Sequence, residues 1–202
     1  MMVTDKSLAQ KFFDLAFAPL RLTVLPDKVT ERLGLTSLWG ERLRAVLPWV
    51  QGRLLDIGCG DNQLVHTYGN GIGVDVYDWG GGALILPDCS RLPFADGEFD
   101  TVTIIAALNH IPNRQEVLVE ARRVLAPEGR LLITMIDPVL SYLGHRFIWW
   151  YSEDKERGME PGEVYGFWNQ ELISLVQGAG YQLRSHQRFL YGLNNLFIFV
   201  KV

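Results

Sequence analysis

The sequence predicts an α/β fold: a doubly wound, mostly parallel seven-stranded sheet that ends in a C-terminal antiparallel hairpin. Three observations predict it. Apolar strand-like runs alternate with stretches of helical periodicity through the middle of the chain, the pattern of a parallel sheet covered by helices. The first of those runs passes directly into a glycine turn. The last two are joined through Gly192, Asn194 and Asn195 rather than by a crossover helix.

In chain order, Leu8, Phe12, Leu15 and Ala16 fall on one face of a helix over 7–17. Leu38, Leu43 and Val46 repeat the pattern over 37–47 until Pro48 stops it. Apolar runs then give strands over 53–57, 71–76, 83–86, 101–106 and 130–136, with helices over 62–68 and 114–125 among them. A helix over 170–177 stops at Gly178 and Gly180, and strands over 181–189 and 196–202 complete the sheet. One domain of 1–202 accommodates all of this, with 1–50 as a helical cap and 137–168 as an insertion on the acceptor side. Open sheets of this kind bind ligands beyond the carboxyl ends of their strands, so function belongs in the turns after Ile57, Val76, Ala106 and Ile136.

Composition narrows the partners. The 202 residues are 48% hydrophobic, enough for one sizeable core, and the net charge is −4. Nineteen scattered Lys and Arg give no basic face to neutralise phosphates, so no nucleic-acid partner is expected. Asp5, Lys6, Gln10, Lys11 and Asp14 interrupt the N-terminal apolar residues, so no signal peptide is expected. The apolar stretch near 147–151 is far below the roughly 20 residues of a membrane span, so no transmembrane segment is expected. Cys59 and Cys89 lack metal-ligand spacing, so a cytoplasmic protein with free thiols and no metal is expected.

The run Leu54-Leu55-Asp56-Ile57-Gly58-Cys59-Gly60-Asp61 takes an apolar strand into a glycine turn that opens a helix. Glycines permit tight bending and close approach of a ligand. Gln63 stands where a G-x-G-x-x-G dinucleotide fingerprint has its third glycine. Asp56, two residues before Gly58, would repel a pyrophosphate but favour a ligand with a sulfonium and an ammonium group. Asp75 ends the second strand seventeen residues after Gly58, where the ribose diol of a bound nucleoside lies in such folds.

On these residues the chain resembles the class I S-adenosylmethionine (SAM)-dependent methyltransferases, particularly the small-molecule subgroup that includes the quinone-biosynthesis methyltransferases. The resemblance runs from Arg53 to Asp137. It covers Asp56-x-Gly58-x-Gly60, Gly73-Val74-Asp75, Asp88 with Leu92-Pro93-Phe94, Phe99-Asp100, Asn109-His110-Ile111-Pro112 and the stretch Arg122 to Arg130, in the family's order. It implies a Rossmann-like fold, SAM as cofactor and S-adenosylhomocysteine (SAH) as product. It also implies a cofactor site of Asp56, Gly58, Cys59, Gly60, Asp75, Val76, Asp88, Cys89 and Ala107. Within that set Asp75 faces the ribose, and Asp88 with the Cys89 backbone faces the adenine amino group. Asn109 and His110 would then lie beside the transferred methyl, where His110 serves either as a general base or as a residue that orders its loop.

The chain departs from the family between Asp75 and Ala83. Seven residues, 76–82, are too few for the helix the family places there, so an extended loop is expected. Tyr77 and Trp79 either line the nucleoside or pin that loop. Phe12, Phe13 and Phe17, with Trp149, Trp150, Tyr151, Tyr165, Phe167 and Trp168, either enclose an apolar acceptor or pack as core. The expected function is methyl transfer to a small or amphipathic organic acceptor. The competing readings are a SAM-binding module without turnover and an NAD-dependent oxidoreductase.

Overall fold

The computed structural model describes residues 36–136 and 162–202, with Leu8, Phe12 and Pro138 as isolated helical positions. The rest of the expected first helix and most of the 137–168 insertion lie outside the described residues. Helix α1 (Leu38–Val46) starts where Ser37 accepts a hydrogen bond from Gly40 N at 3.0 Å, an N-cap that satisfies one orphan amide. Pro48 lies in the 3-10 turn Leu47–Trp49 that follows. Then come β1 (Leu54–Ile57), α2 (Gln63–Tyr68), β2 (Gly71–Asp75), β3 (Leu84–Ile85), β4 (Phe99–Ile105), α3 (Arg114–Val124), β5 (Leu125–Ile136), α4 (Asn169–Gly178), β6 (Tyr181–Phe189) and β7 (Asn194–Lys201).

The seven strands form one sheet in the order β3-β2-β1-β4-β5-β7-β6. The first five in sequence run parallel, and β7 pairs antiparallel with both β5 and β6. From β1 the chain winds outward to β2 and β3, then returns to β4 on the other side. The resulting switch point lies between β1 and β4, so the crevice for a ligand opens at their carboxyl ends.

Side chains alternate across the sheet with the two-residue period of a strand. Leu55, Ile57, Val102, Ile104, Leu131, Ile133, Phe197 and Phe199 face one layer, packed on Val117, Leu118 and Ala121 of α3 and Leu172 and Val176 of α4. Leu54, Ile105, Leu132, Leu196 and Ile198 face the other, beneath Val46 of α1 and Leu64 and Val65 of α2. Asp56 and Thr103 share this second face, so a carboxylate lies inside an apolar layer.

Three local expectations change. β5 begins at Leu125, not at residue 130. Leu125 pairs with Phe99, and the register shifts before Arg130 pairs with Thr101, so Pro127 and Gly129 sit in an irregularity that tolerates them. Asn194 and Asn195 are buried members of β7 rather than turn residues; the reversal is the 3-10 turn Leu190–Gly192. Inside the sheet Asn195 N donates to Asn194 Oδ1 and Asn195 Nδ2 to Met135 O, which supplies partners for most of that buried polarity. β3 is only two residues long, and Leu84 and Ile85 remain 40% and 41% exposed, as the missing crossover helix requires.

Candidate functional site

The glycine turn is held by its own backbone. Gly58 N and Cys59 N both donate to Val74 O, at 2.9 and 3.2 Å, Asn62 N donates to Cys59 O at 2.9 Å, and Gly60 N donates to Asp75 Oδ2 at 2.9 Å. These four amides of the turn before α2 are thus already bonded. A pyrophosphate would have to displace them, whereas a ligand without phosphate would not. Gly58 has φ +70°, and a Cβ there would come within 2.6 Å of Ala107 Cβ, so the turns after β1 and β4 touch. Gly60, with φ +56°, faces open space instead.

Asp75 is 7% exposed and ends β2 beside that turn. Besides Gly60 N, it accepts from Val76 N and Tyr77 N on Oδ1, at 2.8 and 3.1 Å. A carboxylate has about four acceptor positions, so one remains, on Oδ2. Asp56 is fully buried; its Oδ1 accepts from Thr103 Oγ1 at 2.6 Å, and its Oδ2 has no partner among the described residues. Burial chiefly raises its pKa from the ordinary 3.8 to about 7; the Thr103 bond opposes that rise and the charge of Asp75 adds to it. Burial likewise pushes the Cys89 thiol up to about 12 and the Cys59 thiol further still, so both stay protonated and unreactive.

The 76–82 connection is the expected loop without a helix. Gly81 lies against Asp61, where a Cβ would meet Asp61 O at 2.1 Å, and its carbonyl accepts from Asn62 Nδ2 at 3.3 Å. His66 Nε2 stands 2.9 Å from the same carbonyl. Tyr77 and Trp79 make an edge-to-face pair with centroids 4.8 Å apart, and Val76, Tyr77 and Trp79 are all exposed. Asn62 and Gly81 were not singled out in the sequence; the left-handed Asn62 (φ 63°) is where they meet.

Asp88 is held below the usual carboxylate range, first by the Ser90 hydroxyl and then by Asn113, whose Nδ2 donates to Oδ1 at 3.0 Å. Cys89 is buried beside it. The segment that follows is clamped from α3. Arg123 donates to Leu92 O at 3.1 Å, Phe94 O at 2.9 Å, Asp96 at 2.6 Å and Glu120 at 2.7 Å, while Leu92 N donates to Glu120 at 2.8 Å. The stretch Leu92-Pro93-Phe94 and the later Arg123 are thus one structural unit. A cavity of about 730 Å³ between Gly97, Arg122, Arg123, Pro127 and Lys201 lies at the opposite, amino ends of the parallel strands and plays no part in this site.

After β4, Ala106 adopts φ +52°, which costs on the order of 1 kcal/mol for a residue with a Cβ. Its N–H bonds Thr134 O and Oγ1 at 3.2 and 3.1 Å, which hold it there. This bend brings Ala107 to Gly58 and starts the 3-10 turn Leu108–His110. Asn109 is buried, and its carbonyl accepts from Val164 N at 3.0 Å. His110 Nδ1 lies 3.4 Å from Glu163 Oε2, whose side chain is 1% exposed. Glu163 was missed in the sequence because nothing local links it to a residue 53 positions earlier. Of the expected aromatic lid, Phe167 is buried against Arg114 with 5.3 Å between guanidinium and ring, whereas Tyr165 and Trp168 are exposed.

Comparison with known proteins points to methyltransferases. A family model described as a methyltransferase domain matches residues 55–133. The ubiquinone/menaquinone biosynthesis C-methyltransferase UbiE of Bordetella avium is 37% identical over 73 residues, 34% of this chain and 28% of that protein. The probable tRNA methyltransferase 9B of Mus musculus is 30% identical over 143 residues, 65% of this chain and 29% of that protein. The chain thus spans less than a third of either relative's length. A Thermotoga maritima structure, described as a SAM-dependent methyltransferase and possible histamine N-methyltransferase, shares the fold with a TM-score of 0.62 and 21% identity, over 80% of this chain and 88% of that one. The matched segment begins inside β1 and ends in β5, enclosing the turns after β1, β2, β3 and β4 at the carboxyl edge of the parallel core, and this part of the chain is similar to methyltransferase domains.

Proposed function

We propose that this chain transfers a methyl group from SAM to a small or amphipathic organic acceptor held beyond the carboxyl ends of β1, β4 and β5. The observation that carries the reading is the pair of buried carboxylates around the glycine turn. Asp56 keeps one oxygen without a partner among the described residues, Asp75 keeps one acceptor position, and four turn amides are already bonded. That set fits a cationic nucleoside without phosphates. Asp75 and Val76 would hold the ribose, and Asp88 and Cys89 the adenine edge. Asp56, Gly58, Cys59, Gly60 and Ala107 would surround the rest.

When bound, SAM supplies a methyl group carried on a sulfonium. The chain's contribution is to orient the acceptor, exclude water and, at His110, accept a proton where the acceptor has one to lose. Exposed Tyr165 and Trp168 and the net charge of −4 support an apolar, non-polyanionic acceptor. The likeness to a probable tRNA methyltransferase supports RNA as the second reading. Incubating the protein with methyl-labelled SAM and, separately, a small-metabolite extract and total RNA tests the choice. Label is expected in the small molecules, and label in RNA alone overturns the acceptor class.

Gly60→Ala probes the cofactor half without disturbing the core. The left-handed backbone costs a Cβ about 1–2 kcal/mol, and among the described residues, its chain neighbours aside, no atom lies within 4 Å of it, so the variant is expected to fold with a modest loss of stability. SAH affinity should fall much further than stability does, because the methyl projects into the space left for the ligand. Thermal melts and calorimetry on the same sample read both.

A further inference from the structure

The structure assigns Trp39 and Asn194 to recognition of the methyl acceptor: their buried, unpartnered N–H groups fit a neutral hydrogen-bond-accepting oxygen, such as a carbonyl, on an otherwise apolar molecule. This rests on the methyl-transfer reading above and names the acceptor's chemistry.

Asn194 opens β7 and is fully buried. Its Oδ1 accepts from Asn195 N at 2.9 Å, which fixes the orientation of the amide, and its Nδ2 has no partner among the described residues. The register puts it at the carboxyl edge of the parallel core, because it lies opposite Ile136, the last residue of β5. The two-residue alternation along β7 puts it on the face of Leu196 and Ile198, the layer beneath α1.

Trp39 comes to that layer from α1 and packs against the same apolar cluster. Its Nε1 is buried and likewise has no partner among the described residues. The chain leaving α1 is tied to the amino edge. Arg130 of β5, which pairs with Thr101 near the start of β4, donates to Trp49 O at 3.3 Å and to Gln51 Oε1 at 2.6 Å, and Gln51 N donates to Thr101 Oγ1 at 2.9 Å. The nine residues of α1 span about 14 Å, so its first turn, with Trp39, lies back toward the carboxyl edge.

A buried donor without a partner is costly, and native proteins hold few of them. Here two such donors, from separate elements, share one face at the edge where the acceptor is held. Asp56 Oδ2, on the same face, is an acceptor and belongs with the cationic cofactor. An indole and a carboxamide carry no charge, so this pair suits a neutral oxygen rather than a carboxylate or phosphate, which cationic donors hold better. The surrounding Ile105, Leu132 and Leu196 suit the apolar remainder.

The test uses the small molecule that takes label from SAM in the metabolite extract, purified in its unmethylated form. Added to the ¹⁵N-labelled, SAH-saturated parent, it should move the Trp39 indole proton downfield, with Trp39→Phe assigning that resonance. Trp39→Phe and Asn194→Leu should each raise its KM roughly tenfold, while SAH affinity stays at the parent's value. A purely structural indole would leave both the resonance and KM unmoved. An indole signal that does not shift, a Trp39→Phe KM equal to the parent's, or a labelled molecule that contains no oxygen overturns the inference, whether or not Asn194→Leu folds. A parent that binds no SAH, or that labels only RNA, overturns the reading on which the inference rests.

Discussion

Asp56→Asn is expected to make the unliganded protein more stable at pH 8 than the parent and to remove most of the parent's pH dependence between about pH 4 and 7. The carboxyl titrates at 3.8 in an unfolded chain and at about 7 in the fold, because burial disfavours its charge. Between those values the native state holds a proton that the unfolded state has released, so stability falls as pH rises and levels off above the folded value. Three pH units at about 1.4 kcal/mol each amount to roughly 4 kcal/mol. The amide carries no charge to desolvate, although its NH2 inherits the position of Oδ2, which has no partner among the described residues, and returns about 1–3 kcal/mol of that gain. Denaturant titrations of both proteins at pH 4 and pH 8 measure the difference. Parallel pH profiles would show that Asp56 is ionised without penalty in the fold.

Asp75→Ala is expected to lower SAH affinity by roughly tenfold to a hundredfold, the loss of a charged hydrogen-bond partner worth about 1.5–3 kcal/mol. The variant also leaves Gly60 N, Val76 N and Tyr77 N without their carboxylate, so its melting temperature should drop. Asp75→Asn separates the two effects. Its carbonyl can keep the Val76 and Tyr77 bonds while its NH2 confronts Gly60 N–H, so stability should recover further than affinity. A folded Asp75→Ala protein that binds SAH as tightly as the parent removes this residue from the site.

Much of the fold is legible because its signals are local. Leu54, Leu55 and Ile57 flow into Gly58, and Leu131, Leu132 and Ile133 declare β5, since buried parallel strands need no polar alternation. The missing helix between β2 and β3 was legible from length alone. The errors arise where tertiary contacts override composition. Asn194 and Asn195 have turn chemistry, yet Met135 O in the neighbouring strand supplies one of the bonds that let them continue β7. Pro127 and Gly129 look like a loop, yet the register shift against β4 absorbs them.

The site divides in the same way. Asp56, Gly58, Gly60 and Asp75 are candidate site residues by their strand–turn–helix spacing, and the structure places them around one turn. Their partners were not legible. Thr103 reaches Asp56 across 47 positions, Asn113 reaches Asp88 across 25, and Glu163 reaches His110 across 53. Such pairs depend on sheet order and on how the β4 turn bends at Ala106, which no short motif encodes. The four bonded amides of the glycine turn carry the same lesson, because their acceptors, Val74 O, Cys59 O and Asp75, lie partly on the neighbouring strand.

The central claim is that the crevice beside Asp56 and Asp75 holds a cationic adenine nucleoside without phosphates. Isothermal titration calorimetry of the parent protein with SAM, SAH and NADH tests it most directly. Saturable one-to-one binding of SAM and SAH, absent with NADH and weakened in Asp75→Ala, is the predicted result; binding of NADH in preference to both would contradict it.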